Sequence, residues 1–160
     1  MASVSKGQYA HSENNLCQGE IPSQLILTLM ESSSFGGLYK KNPFFFKPYD
    51  CNSLTLYIDG QSYPAKPLQP NFTDNNYMEA YRNLKVCRDD IDISLSEFKR
   101  GCTIFVFDIV DNIDFNTKRR ADCRLELRFG LALSENITLL LCGKFPKVLQ
   151  VNESRRVYLQ

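Results

Sequence analysis

The chain has 160 residues, of which 19 are lysine or arginine and 18 are aspartate or glutamate, so the formal net charge is +1. This length predicts one domain that can bury its own core. The balanced charge argues against a dedicated nucleic-acid-binding protein, which would carry a basic excess. One histidine in the whole chain excludes a metal centre with several histidine ligands from one chain.

The longest apolar runs have the length of strands. Thr103–Phe107 and Ile137–Cys142 are far shorter than the ~20 residues that a membrane-spanning helix needs. Residues 1–15 contain no apolar stretch of the secretory type, so we expect no secretion. The cysteines are widely spaced, and we expect reduced, mostly buried thiols. They are Cys17, Cys51, Cys87, Cys102, Cys123 and Cys142.

Apolar residues alternate with period two along most of the chain, which predicts strands. Leu25–Met30 and Leu54–Ile58 show the pattern, and Asp59-Gly60 then predicts a hairpin turn. The return strand Ser62–Ala65 contains Pro64 and should be an edge strand or end early. Further strands are predicted over Cys102–Val110, Asp122–Phe129, Ile137–Cys142 and Phe145–Val151. Seven or eight short strands indicate a mainly β protein with a β-sandwich fold.

A helical insertion is predicted over residues about 73–100. Between Asp74 and Cys87, aromatic and aliphatic residues recur at helical spacing, with Thr73 or Asp74 as the expected N-cap. Ser94–Glu97 reads as a capping box of a second helix that Gly101 can end.

The residues that could act in catalysis or bind a metal are better explained by structural or solvent-exposed roles. His11 lies in a polar stretch that offers no third group to orient a catalytic base. The carboxylates of Asp89, Asp90 and Asp92 lack the glycine and distal glutamate of a calcium loop. Solvated loops and turns explain the remaining groups; these are Asp108, Asp111, Asp114, Gly36-Gly37, Lys118–Arg120 and Arg155-Arg156. We therefore expect no enzyme activity, no metal and no cofactor.

Three adjacent aromatic residues, Phe44, Phe45 and Phe46, stand between Pro43 and Pro48. Three consecutive side chains cannot all face one core, so at least one should lie near a surface or an interface. Core packing with a small exposed edge is a near-even alternative.

Several segments resemble one protein family. Tyr39–Lys47 is similar to its YKKNPFxFK segment, and Leu54–Phe72 to its LALYVDG…PxKPLQPxF signature. Tyr77–Asn83, Gly101–Ile109 and Glu153–Arg155 also resemble its motifs. The family is the major capsid (hexon-like, double jelly-roll) protein of Polinton/Maverick elements and adintovirus-like viruses. The resemblance runs from about Gly7 to the end of the chain and covers only the C-terminal jelly roll.

The resemblance implies that residues 1–160 form a single jelly-roll domain of two antiparallel sheets with about eight strands. It also implies a structural role in assembly, with the chain itself or a full-length capsid protein as partner, and no membrane, nucleic-acid or small-molecule partner. The expected location is the virion for a viral protein and otherwise the cytoplasm or nucleus. The candidate interface residues are Phe44, Phe45, Phe46, Tyr49, Arg124, Arg128, Arg155 and Arg156.

Two alternatives stay open. A host protein derived from a transposon or virus could bind capsid subunits and interfere with their assembly. A glycan-binding β-sandwich could stack sugars on Tyr39, Tyr49 and Tyr63.

Overall fold

A computed structural model describes residues 1–16, 21–109, 122–145 and 149–159. Within these ranges the elements follow one another in this order: β1 (Ala2–Val4), β2 (Ala10–Glu13), β3 (Gln24–Glu31), α1 (Ser32–Phe35), β4 (Cys51–Ile58), β5 (Gln61–Leu68), α2 (Met78–Cys87), α3 (Leu95–Arg100), β6 (Ile104–Asp108), β7 (Cys123–Phe129), β8 (Ile137–Lys144), β9 (Leu149–Val151) and β10 (Val157–Leu159).

Eight of these strands form two antiparallel sheets of four, and their order is that of a jelly roll. The first sheet has the order β1-β8-β3-β6, and the second has the order β2-β7-β4-β5. The pairs are therefore nested: β1 with β8, β2 with β7, β3 with β6, and β4 with β5. A long hairpin that is rolled up into two sheets gives this pattern. The predicted mainly β, jelly-roll sandwich is confirmed.

The core lies between the inner faces of the two sheets. Leu25, Leu27 and Leu29 of β3 are buried, as are Leu125 and Leu127 of β7. Strand β7 alternates as predicted, with its arginines on the opposite face from these leucines. Period-two patterning thus determines which side of each strand enters the core.

The first hairpin forms as predicted. Asp59 and Gly60 both have positive φ angles, of 50° and 80°, which is the backbone of a type I′ turn. Strand β5, which contains Pro64, is an edge strand. It continues to Leu68, beyond the predicted end at Ala65.

The helical insertion packs against β6. Phe98 of α3 is fully buried, and its ring contacts those of Phe72, Tyr77, Tyr81 and Phe105, with centroids 5.7–6.4 Å apart. This aromatic cluster connects the insertion to the sandwich core.

The predicted capping box is present. The Ser94 side chain accepts from the Glu97 backbone N–H, and the Glu97 carboxylate accepts from the Ser94 backbone N–H. The predicted cap of the first helix was wrong, because α2 begins at Met78 with Tyr77 as N-cap. Residues 71–76 form a turn instead, closed by reciprocal backbone hydrogen bonds of 2.8 Å between Asn71 and Asn76.

The C-terminal segment differs from the single predicted strand Phe145–Val151. Strand β8 extends to Lys144, and β9 pairs with β10 in a separate two-stranded sheet. The strand predicted up to Val110 ends at Asp108 as β6, and Val110 lies outside the described residues.

The expectation of mostly buried thiols was wrong for the described cysteines. All five are free, but only Cys51 and Cys123 are buried, and Cys142 is exposed. Cys142 is on β8 and pairs with Ile26 in the first sheet. Side chains alternate between the two faces of a strand, and Leu139 and Leu141 face the core, so the Cys142 side chain lies on the outer face. Cys17 is outside the described residues.

Candidate functional site

The loops at one end of the sandwich carry a concentration of exposed apolar side chains. Backbone hydrogen bonds join three of these loops: Gly7 N–H donates to Leu133 O at 2.8 Å, and Gly130 N–H donates to Asp50 O at 2.8 Å. Seven large apolar residues here are exposed: Tyr9, Phe35, Leu38, Tyr39, Phe44, Phe45 and Leu131. We call these seven residues the loop-end surface. Grouped exposed apolar side chains of this kind are typical of protein interaction sites.

The aromatic run Phe44–Phe46 is divided between this surface and the body of the domain. The Phe44 side chain is 75 % exposed, which confirms that at least one of the three rings lies near the surface. The Phe45 ring packs on Gly101. Phe46 is half-buried, and its backbone N–H donates to Gly101 O at 2.7 Å while its carbonyl accepts from Thr103 N–H. The anchored Phe46 therefore holds its two neighbours at the surface.

Polar contacts fix the loop that carries the aromatic run. The Glu135 carboxylate accepts hydrogen bonds from Lys47 Nζ and from the Tyr49 hydroxyl, each at 2.9 Å. The Lys47 ammonium also lies over the rings of Tyr49 and Phe45, at 5.6 and 5.9 Å from their centroids. Burial and the bond to Glu135 raise the pKa of Tyr49. The phenol thus stays a hydrogen-bond donor at neutral pH.

A second polar contact ties down the start of the same loop. Glu31 accepts hydrogen bonds from Lys41 and from the Ser33 hydroxyl. These bonds lower the pKa of Glu31, with Lys41 as the larger cause. The loop is therefore hydrogen-bonded to the rest of the domain on both sides of the aromatic run, through Lys41 and through Lys47 and Tyr49.

The predicted arginines lie elsewhere. Arg124 and Arg128 are on the outer face of β7 in the second sheet. The Arg124 guanidinium stacks on the Tyr57 ring at 4.6 Å and pairs with Glu126 at 3.2 Å. Arg155 and Arg156 lie at the turn of the β9–β10 hairpin. The structure therefore brings together Phe44, Phe45, Phe46 and Tyr49, but not the four arginines.

Sequence reasoning missed four members of the loop-end surface. They are Tyr9, Phe35, Leu38 and Leu131. Each lies within two residues of a glycine in a segment between strands. An apolar residue beside a turn-forming glycine sits outside the period-two pattern, and this signal could have identified them.

The other candidate residues have separate surroundings. His11 Nε2 is 3.1 Å from Glu13 Oε2, on the edge strand β2. Asp90 accepts two hydrogen bonds from Arg88, and these lower the pKa of Asp90. Asp111, Asp114 and Lys118–Arg120 lie outside the described residues. Among the residues that are described, no three or more His, Cys, Asp or Glu side chains form a group able to hold a metal ion.

The tyrosines of the glycan-binding hypothesis are separated. Tyr39 is fully exposed on the loop-end surface. Tyr49 is bound to Glu135 nearby, whereas Tyr63 is on β5 and donates its hydroxyl to Asp108 O. Within the described ranges, no helix is long and apolar enough to cross a membrane.

A comparison with known proteins finds a relative that is similar over most of the chain. In an alignment 140 positions long, which covers 79 % of the chain, it is 30 % identical to a Caenorhabditis elegans protein named "Uncharacterized protein F54H12.2". It spans about a third (33 %) of the length of that relative. No protein-family model matches the chain. No solved structure matches it either.

Proposed function

We propose that this chain is a capsid-type structural domain that acts through protein–protein assembly, without catalysis. The loop-end surface is the observation that carries this proposal. It presents Phe44 and Leu131, which are 75 % and 68 % exposed, from two loops that the sandwich holds in place. Burying such side chains against a partner contributes about 25 cal/mol for each Å² of apolar area removed from water.

The fold supports the same role. Jelly rolls of this strand order recur in viral capsids, although fold alone does not determine function. The sequence segments that resemble the Polinton/Maverick capsid family include Tyr39–Lys47, which contributes three of the seven loop-end residues. The proposed partners are further copies of the chain or a full-length capsid protein, in the virion for a viral protein.

Sedimentation velocity of the purified protein over a range of concentrations tests the proposal. The sedimentation coefficient should rise with concentration for the wild type, and Phe44→Ser/Leu131→Ser should weaken the association. Met78→Ser is the control, because it removes an exposed apolar side chain from α2 that is not one of the seven loop-end residues. A double variant that associates as strongly as the wild type would contradict the assigned surface.

Interference with capsid assembly is a second candidate. It would use the same loop-end surface, because a chain that binds a capsid subunit through these exposed side chains occupies the position of the next subunit. Adding the protein to an assembling full-length capsid protein should lower the yield of particles in electron micrographs. Unchanged yield at excess protein would exclude this role.

A further inference from the structure

The β9–β10 hairpin carries apolar side chains that nothing in the described structure covers. Leu149, Val151 and Val157 are 59–60 % exposed, and the hairpin pairs with neither four-stranded sheet. Val151 and Val157 are directly opposite in the ladder, so their side chains share one face. An isolated two-stranded hairpin is marginally stable in water. This one therefore needs a surface to pack on.

The turn of the hairpin is closed by hydrogen bonds and carries charged side chains. Asn152 N–H donates to Arg156 O at 3.1 Å, and Arg156 N–H donates to the Asn152 side chain at 2.8 Å. Arg155 has a positive φ of 57° within this turn. The turn presents two guanidiniums, from Arg155 and Arg156, and the carboxylate of Glu153, all exposed.

A groove beside α2 has the opposite charge pattern. It lies between α2, β5 and the outer edge strand β6, and encloses about 420 Å³. Its polar lining includes two carboxylates, from Glu79 and Asp108, and one guanidinium, from Arg82. Val86, which is 74 % exposed, and Tyr63 provide apolar walls. We call this the edge groove.

Within the part of the chain that is described, the charged side chains of the hairpin turn and of the edge groove have no ion-pair partners. No ion pair or side-chain hydrogen bond there involves Glu79, Arg82 or the Asp108 carboxylate, and the same holds for the Glu153, Arg155 and Arg156 side chains. The edge groove thus carries two negative charges and one positive charge, whereas the hairpin turn carries two positive charges and one negative charge. Complementary charge of this kind fixes the register of a contact and raises the association rate.

We propose that the edge groove of one copy binds the β9–β10 hairpin of a second copy. The turn enters between α2 and β6, so that Arg155 and Arg156 meet Glu79 and Asp108, and Glu153 meets Arg82. The apolar side chains of Val151 and Val157 cover Val86 and the Tyr63 wall. Because the groove and the hairpin are different surfaces, the contact is head-to-tail and joins copies into a ring or an open row. This inference rests on the proposed assembly function and names a second contact for it.

A charge-swap experiment tests the contact. Arg155→Glu/Arg156→Glu reverses the charge of these two positions on the hairpin. Glu79→Arg/Asp108→Arg reverses the charge of the two carboxylate positions in the edge groove. All four side chains are exposed, so we expect both variants to fold, which circular dichroism checks. Each variant alone should associate about tenfold more weakly than the wild type, because two attractive pairs become repulsive. An equimolar mixture should recover wild-type association, because the reversed hairpin matches the reversed groove.

The matched control is Asp89→Arg/Asp92→Arg, which changes the net charge by the same amount at exposed positions just after α2. It should associate like the wild type. If both swapped variants associate like the wild type, or if their mixture is no stronger than either alone, the contact is wrong. In that case concentration-dependent association that Phe44→Ser/Leu131→Ser weakens would leave the proposed function standing. A wild type that stays monomeric at every concentration overturns the contact together with self-association.

Discussion

The ring of Phe45 occupies the space that a side chain at Gly101 would need. A β-carbon built on Gly101 would lie far inside van der Waals contact of the Phe45 ring. Gly101 ends α3 through its N–H bond to Glu97 O, and its carbonyl accepts from Phe46 N–H. One glycine therefore links the helical insertion to the loop-end surface.

Gly101→Ala should displace the Phe45 ring toward solvent. We expect a loss of about 1 kcal/mol in the free energy of unfolding, at the low end for overpacking because the ring is partly exposed and can move. Urea denaturation measures the loss. Gly36→Ala is the control, since a β-carbon there would meet only backbone oxygens at 3.7 Å. Equal effects of the two substitutions would contradict the assigned contact.

Phe98→Ala should remove the centre of the aromatic cluster. Phe98 is fully buried and contacts four other rings, so we expect a loss of about 3–5 kcal/mol. Phe44→Ala should cost less than about 0.5 kcal/mol, because that side chain is mostly exposed. Thermal and urea unfolding of both variants provide the comparison, and a small effect of Phe98→Ala would contradict the described core.

Ser94→Ala should weaken the start of α3. The substitution removes the hydroxyl that caps the Glu97 backbone N–H, at a cost of about 1 kcal/mol. Ser12→Ala is a suitable control, since it removes an exposed serine hydroxyl from β2, which has no part in the cap of α3. The two variants should differ in their urea midpoints, and identical midpoints would argue against the capping box.

The buried thiol of Cys51 should make the protein less stable in alkali. Burial raises the pKa of Cys51 to about 12, well above the ordinary thiol value. The raised pKa means that the folded state holds the proton more tightly than the unfolded chain does. The resulting stability is present below pH ~9 and is lost as the pH rises toward ~12. The thiol of the unfolded chain titrates between about pH 8 and about pH 10. Over this range, the free energy of unfolding should decline less for Cys51→Ala than for the wild type. Parallel declines would contradict this assignment.

The sequence was sufficient for the sandwich because its strands follow simple physical patterns. The alternation in β7, the Asp59-Gly60 turn and the Ser94 capping box each involve neighbours in the chain. The start of α2 was predicted too early in the chain. The spacing of apolar residues continues back into residues 71–76, but these residues form a turn closed by hydrogen bonds between Asn71 and Asn76.

The candidate site was only partly predictable for a related reason. The Phe44–Phe46 run is visible locally, whereas its grouping with Leu131 depends on tertiary contacts between distant loops. The isolation of Arg155 and Arg156 on a separate hairpin depends on the β9–β10 pairing. Short terminal strands give too few residues for a periodic signal.

Sedimentation velocity on mixtures with a full-length capsid protein tests the central claim most directly. The claim is that this jelly roll functions by binding other jelly-roll subunits through the loop-end surface. The account predicts a faster-sedimenting complex that contains both proteins and that Phe44→Ser/Leu131→Ser weakens. The claim is contradicted if this chain sediments as a monomer at every concentration, both alone and in the mixture.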